Sequence, residues 1–140
     1  MNQQVNPFKW FIIYSGKCIF SLKTDSCKVN YCQDGIQVYY KSEKMEYIER
    51  PIYGHYRIDS TDVNGRQYFN NEIEDMGIWW SNGYWLVGHN DVKGQTIGTA
   101  YYATDIFCPY HLIMLPRPWM LFNPSIGWFK AHKQLHLKCK

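Results

Sequence analysis

The sequence predicts an all-β fold: a small antiparallel meander or a partly closed barrel, with an irregular N-terminal extension. Three observations lead there. Aromatic residues make up 18% of the 140-residue chain, and rings pack well on a pleated surface. After Pro51, short apolar runs alternate with turns rich in Gly, Asn and Pro, the spacing of hairpin-linked strands. No long stretch with a helical period competes with them.

Each element follows from its own residues. In "IYGHYRI", Ile52, Gly54, Tyr56 and Ile58 share one strand face, with Tyr53, His55 and Arg57 opposite. "DSTDVNG" is a turn-rich loop ending in Asn64-Gly65, a strong turn dipeptide. "RQYFNN", "IWW" and "YWLVG" read as the next three strands, and Asn82-Gly83 between two aromatic runs signals a hairpin. "HNDVKGQTIG" is a loop and "TAYYA" a fifth strand. "PRPWMLF" leads into a sixth, and "WFKAHKQLHLKC" supplies one or two more after the turn "NPSIG". Sequential antiparallel pairing is the default for such hairpins. The chain divides at residue 50. Residues 1–50 are a cysteine-containing extension packed on the main domain, and residues 51–140 are the aromatic-rich β domain. Within the extension, "FKWFIIY", "CIFSL", "CKVNYC" and "GIQVYY" are short apolar runs, and "SEKMEYIE" is a brief helix or an edge. Fifty residues alone struggle to sustain a core.

Charge narrows the function classes. The net charge is +3, and residues 101–140 carry five of the Lys and Arg residues against a single acid. The basic end keeps the protein soluble, and it is too small a field to make nucleic acid an expected partner without a recognised motif. The run "WFIIY" is far short of the roughly 20 residues of a membrane helix, and no signal-peptide pattern opens the sequence. An extracellular or secreted location is expected, with a signal peptide removed; a cytoplasmic one is the alternative.

Five cysteines, Cys18, Cys27, Cys32, Cys108 and Cys139, leave an odd thiol if the others pair. Cys108 with Cys139 is the preferred disulfide and closes a loop of about thirty residues. Cys18, Cys27 and Cys32 leave the other pairing open, and in a reducing compartment all five are buried thiols. The rival is a zinc site. Cys108 and His111 have C-x2-H spacing, and His132, His136 and Cys139 have H-x3-H-x2-C spacing, which would supply N and S ligands. As a helix the last three share a face. As a strand, with Leu135, Leu137 and Cys139 alternating against His136 and Lys138, Cys139 points away from both histidines.

The aromatic hairpin is the candidate binding element. Its turn is expected to set Trp80 near Tyr84 and Trp79 near Trp85, with one pair inward and the other outward. The outward ring is either covered by another segment or part of an exposed platform. Trp79, Tyr84, Trp85, Tyr101 and Trp119 are the candidate ligand-binding rings, and Arg66, Asn82 and Asn90 supply directional hydrogen bonds beside them; aromatic and Arg anchors dominate many protein contacts.

The ordered residues Asn64, Gly65, Arg66, Tyr68, Trp79, Trp85, Gly88, Tyr101, Cys108, Pro109, Trp119 and Cys139 resemble a small β module recurring in modular extracellular proteins of animals. The resemblance covers residues 50–139. It implies a non-catalytic module with the Cys-Pro cysteine and the terminal cysteine as a structural pair. Val87-Gly88 stands where Ile-Gly is usual, and the N-terminal cysteines fall outside the pattern.

Catalytic signatures are weak. No phosphate-binding glycine loop, HExxH or GxSxG motif occurs. "GHYRIDSTD" brings His55, Arg57, Asp59, Ser60 and Asp62 close in sequence, "EIEDMG" clusters Glu72, Glu74 and Asp75, and Cys108 lies near His111. The expected function is therefore a non-enzymatic binding or scaffold module that recognises a protein or carbohydrate partner through exposed aromatic residues, with no cofactor. One alternative is a small hydrolase-like enzyme using His55 or His111. The other is a zinc-stabilised nucleic-acid-binding protein using the basic tail.

Overall fold

The computed structural model describes residues 32–40, 52–132 and 135–140, all within one compact unit spanning Tyr31–Lys140. Among the described residues, nine strands form a single antiparallel sheet. They are β1 (Ile36–Tyr39), β2 (Gly54–Ile58), β3 (Phe69–Asn71), β4 (Met76–Ser81), β5 (Tyr84–His89), β6 (Ala100–Ala103), β7 (Met120–Asn123), β8 (Gly127–Lys130) and β9 (His136–Cys139). Each strand from β1 to β7 pairs with its successor, and β9 returns to pair with β1. The sheet curls into a partly closed half-barrel. Short 3-10 segments at Asn90–Val92 and Pro109–Met114 interrupt the meander.

Every strand read from the sequence after Pro51 is present. The sheet also takes in β1, from the run "GIQVYY". Ile36 and Val38 are fully buried there, and β1 pairs with β2 on one side and β9 on the other. Residues 36–39 thus belong to the sheet rather than to an extension ending at residue 50, because so short a strand is held by neighbours on both edges. Expectations for residues 1–31 and 41–51, the brief helix or edge among them, lie outside the described residues.

Turn chemistry sets the register. Asn82 and Gly83 both have positive φ, 54° and 93°, the geometry whose twist suits a two-residue hairpin. Only these two residues are given to the loop, so Ser81 faces Tyr84, Trp80 faces Trp85 and Trp79 faces Leu86. The expected pairings, Trp80 with Tyr84 and Trp79 with Trp85, are each displaced by one place.

With that register, one rung of inward side chains crosses seven strands: Ile58, Phe69, Ile78, Val87, Ala100, Leu121 and Phe129. Phe69, Ile78, Val87, Ala100 and Leu121 are completely buried. Trp85 and Tyr102 form the next rung on this inner face, where Tyr102 meets Trp119 edge-on at 5.8 Å. The opposite face carries a second, smaller core of Tyr68, Trp79 and Leu86, with Val63, Val92 and Tyr101 packed around it. Gly77 makes room for it: a Cβ there would lie 2.5 Å from the Tyr68 ring and 2.7 Å from the Asn90 side-chain oxygen.

The β1–β9 end of the sheet is tied covalently. Cys139 forms a disulfide with Cys32 across 107 residues of sequence, not with Cys108 as the sequence suggested. Cys108 is disulfide-bonded as well. The β1–β9 register explains the choice for Cys139. It sits opposite Ile36, and a turn in which the Gly35 N–H donates to the Cys32 carbonyl at 2.9 Å brings Cys32 to the same point. A cross-link over so long a loop removes much denatured-state freedom. The double variant Cys32→Ala, Cys139→Ala is expected to lose about 2–5 kcal/mol of unfolding free energy, measured by urea denaturation without reductant.

Candidate functional site

Strand alternation divides the outer face of the sheet into a covered half and an open half. The covered half lies over β4 and the near part of β5. Trp79 is fully buried, and its indole N–H donates to the Gln95 carbonyl at 2.9 Å. Ser81 and Thr96 share a hydroxyl hydrogen bond of 2.8 Å. Asn64, at the tip of a tight turn closed by Val63 and Arg66, donates to the carbonyls of Trp80 and Gly94 at 2.8 and 2.9 Å. Two loops are thereby pinned over the Trp79 ring.

Tyr68 and Asn90 lock the same region. The Tyr68 hydroxyl donates to the Asn90 side-chain oxygen, and the Asn90 amide donates to Asn70 at 2.9 Å and Asp75 at 3.1 Å. Burial, followed by the Asp59 and Asp75 carboxylates, pushes the Tyr68 hydroxyl up to about 12, with the Asn90 hydrogen bond working the other way. Glu72, Glu74 and Asp75 belong to the exposed turn between β3 and β4.

Arg66 anchors a third element. Its guanidinium lies 3.8 Å from the centre of the Trp80 ring and 5.0 Å from that of Phe107. It donates to the carbonyls of Asp105 and Ile106 at 3.0 and 2.8 Å. The indoles of Trp80 and Trp85 donate to the same segment, at the Thr104 and Ile106 carbonyls, at 3.2 and 2.7 Å. Burial draws the Arg66 guanidinium below its ordinary value, opposed by the Asp105 carboxylate. Both of the Arg66 bonds come from Nη1 and end on the protein's own backbone, so Arg66 holds residues 104–107 in place.

The open half carries the exposed rings. Tyr84 on β5, Tyr101 on β6, Trp128 on β8 and Phe122 on β7 form a continuous row. Tyr84 meets Tyr101 at 5.4 Å, Tyr101 meets Trp128 at 4.9 Å, and Trp128 meets Phe122 at 5.3 Å. All three contacts are edge-to-face, with interplanar angles of 85°, 67° and 65°. Such pairs contribute roughly 0.5–1.5 kcal/mol each beyond burial, enough to fix the rings relative to one another. Tyr84, Phe122 and Trp128 are 37%, 38% and 43% exposed, and Tyr101 is half-buried. Rings left in water as a contiguous group mark an interaction surface. This cluster is suited to recognition of a protein or a carbohydrate.

Of the rings expected to contact a ligand, Tyr84 and Tyr101 belong to this row. Trp79, Trp85 and Trp119 do not: two are completely buried and Trp119 is 4% exposed. The displaced hairpin register turns Trp85 inward, and the loop at Gln95 covers Trp79. Phe122 and Trp128 were missed. Their signal was present in "MLFNPSIGWFK", where a register pairing Asn123 with Gly127 sets Phe122 opposite Trp128.

The catalytic and zinc alternatives do not assemble. A ring nitrogen of His55 is engaged with the Asp34 carbonyl, and the Asp59 carboxylate accepts from the Thr61 N–H at 2.9 Å. Cys108 is in a disulfide and offers no thiolate beside His111, whose imidazole burial holds below its ordinary value. Cys139 is likewise oxidised, and on β9 it points to the face opposite His136. Among the described residues no three His, Cys, Asp or Glu side chains are grouped to hold a metal. Among them, too, no helix is long and apolar enough to cross a membrane. No protein-family model, curated protein or solved structure matches the chain.

Two outcomes follow. Arg66→Lys keeps the charge but loses the planar fork and the stacking; it is expected to cost about 1–3 kcal/mol in urea unfolding. For Tyr68, the folded value lies above the ordinary value of 10.0, so folding favours the neutral phenol. Its contribution is complete below pH 10 and is lost as the pH rises through about 12. Tyr68→Phe is expected to flatten that decline in alkaline denaturation curves.

Proposed function

We propose that this chain is a non-enzymatic recognition module, and that the row Tyr84–Tyr101–Trp128–Phe122 is its contact surface. One observation carries the reading: four rings are held edge-to-face in a fixed arrangement and still left in contact with water. A ring needed only for the core is buried, as Trp79 and Trp85 are. Rings already ordered lose little freedom on binding, which favours affinity. Exposed aromatic anchors of this kind dominate the energetics of many interfaces.

The module works outside the cell or in another oxidising compartment. The Cys32–Cys139 disulfide supports that setting, and so does the resemblance to modules of extracellular animal proteins. The partner is a protein or a glycan displayed there.

Trp128→Ala and Phe122→Ala test the surface. Each is expected to weaken binding in a screen of extracellular protein domains and oligosaccharides by at least roughly tenfold. Unfolding free energy is expected to fall by about 1 kcal/mol in Phe122→Ala, which loses one ring contact, and by about 1–3 kcal/mol in Trp128→Ala, which loses two. Unchanged binding in both variants would remove the row from the function.

A further inference from the structure

We propose that Asn82 is a site of spontaneous deamidation, and that Asn64, in the same dipeptide and the same kind of turn, is held unreactive by the fold. This goes beyond the reading of the ring row and does not depend on it.

The chain has two Asn-Gly dipeptides, Asn64-Gly65 and Asn82-Gly83, and their settings are closely matched. Each forms the two-residue loop of an antiparallel pair, closed by Val63 with Arg66 and by Ser81 with Tyr84. Both asparagines have a left-handed backbone, with φ of 53° and 54°. Both are exposed to solvent. A Cβ placed on either glycine would meet nothing within 4 Å, so the main-chain nitrogen that follows each asparagine lies in open surroundings.

What separates them is how the side chain is held. The Asn64 side-chain nitrogen donates to the carbonyls of Trp80 and Gly94 at 2.8 and 2.9 Å. Among the described residues, none hydrogen-bonds the Asn82 side chain. The Asn64 amide must break both of its bonds before its Cγ can turn toward the Gly65 nitrogen. The Asn82 amide has no such bonds to break.

The reaction is intramolecular, and glycine favours it because no side chain shields its nitrogen. The Gly83 main-chain nitrogen gives its proton to hydroxide and attacks Cγ of Asn82. The N–Cγ bond forms, the Cγ–Nδ2 bond breaks, and ammonia leaves, taking a proton from water. Water then opens the cyclic imide. Addition at Cγ restores the original peptide bond and leaves an aspartate at position 82. Addition at the main-chain carbonyl breaks that peptide bond, routes the chain through Cγ and leaves an isoaspartate. Water alone is consumed, and nothing is oxidised or reduced. The aspartate suits the turn, since Asp-Gly is a favoured pair there. The isoaspartate adds a main-chain atom to a loop that fits two residues between Ser81 and Tyr84. It also shifts the Gly83 carbonyl, which accepts from the Thr104 N–H at 3.1 Å.

The test is peptide mapping by mass spectrometry of the intact chain held in warm, mildly alkaline buffer, beside the same chain reduced and unfolded in urea. In the folded chain Asn82 is expected to convert at least about tenfold faster than Asn64, an effect that two hydrogen bonds can supply. In urea the two rates are expected to converge, because the dipeptide is then the main determinant. Asn82→Gln is expected to remove the first acidic species seen by ion exchange, since its closure needs a larger ring. The isolated isoaspartate form is expected to unfold at a lower urea concentration than both the starting chain and Asn82→Asp. Equal rates in the folded chain overturn the proposal, as does faster conversion at Asn64. So does an unmodified Asn82 in a folded sample whose unfolded counterpart has converted. A rate gap that persists undiminished in urea overturns the role of the Asn64 hydrogen bonds. An isoaspartate form as stable as the starting chain overturns its effect on the hairpin.

Discussion

The structure depends on one rung of side chains running through seven strands, from Ile58 to Phe129, on the inner face of the sheet. A strand has a period of two, so a slip of one residue anywhere along this rung would turn a whole strand inside out. The turns prevent it. Asn82-Gly83 allows two residues to the central hairpin and no more. Asn123 holds the β7–β8 turn through its side-chain oxygen, which accepts from the Ser125 N–H at 2.7 Å. Asn71 does the same for the β3–β4 turn, accepting from Glu74 at 3.3 Å. Small polar side chains at the turns thus position the large apolar ones between them.

With the inner face committed to the core, the outer face becomes a competition between rings and loops. Loops win over Trp79, where Gln95, Thr96 and the Asn64 turn are each tied down by hydrogen bonds. No described loop is tied over Trp128 and Phe122, which stay exposed. Tyr101 belongs to both regions: it packs on the buried Trp79 cluster and meets both Tyr84 and Trp128. The rigid half of the face therefore braces the open half. A recognition surface benefits from that arrangement, since the rings are ordered before a partner arrives.

The strands were legible because alternation and turn dipeptides are local signals. Tyr56 inward and Arg57 outward on β2, or Leu137 inward and Lys138 outward on β9, follow from spacing alone. The site was legible only in part. Tyr84 and Tyr101 were identifiable as candidate rings, but so were Trp79, Trp85 and Trp119, and ring content cannot separate the two groups. Trp128 and Phe122 lay in a hairpin with a three-residue loop, whose register was less evident than that of Asn82-Gly83. Arg66 was recognisable as a hydrogen-bond donor beside the rings, yet the acceptors it meets are backbone carbonyls about forty residues away.

The sequence by itself determined an aromatic antiparallel meander, the position of its turns and the alternation of each strand, because these depend on residues within a few places of one another. Tertiary structure alone decided which outward rings remain exposed and which cysteine meets Cys139. Those outcomes depend on loops and strands far apart in the chain. Trp79 is covered by a loop sixteen residues away, and Cys139 is reached by a cysteine 107 residues earlier. No local pattern encodes such distances, since they follow only once the curl of the whole sheet has set which segments become neighbours.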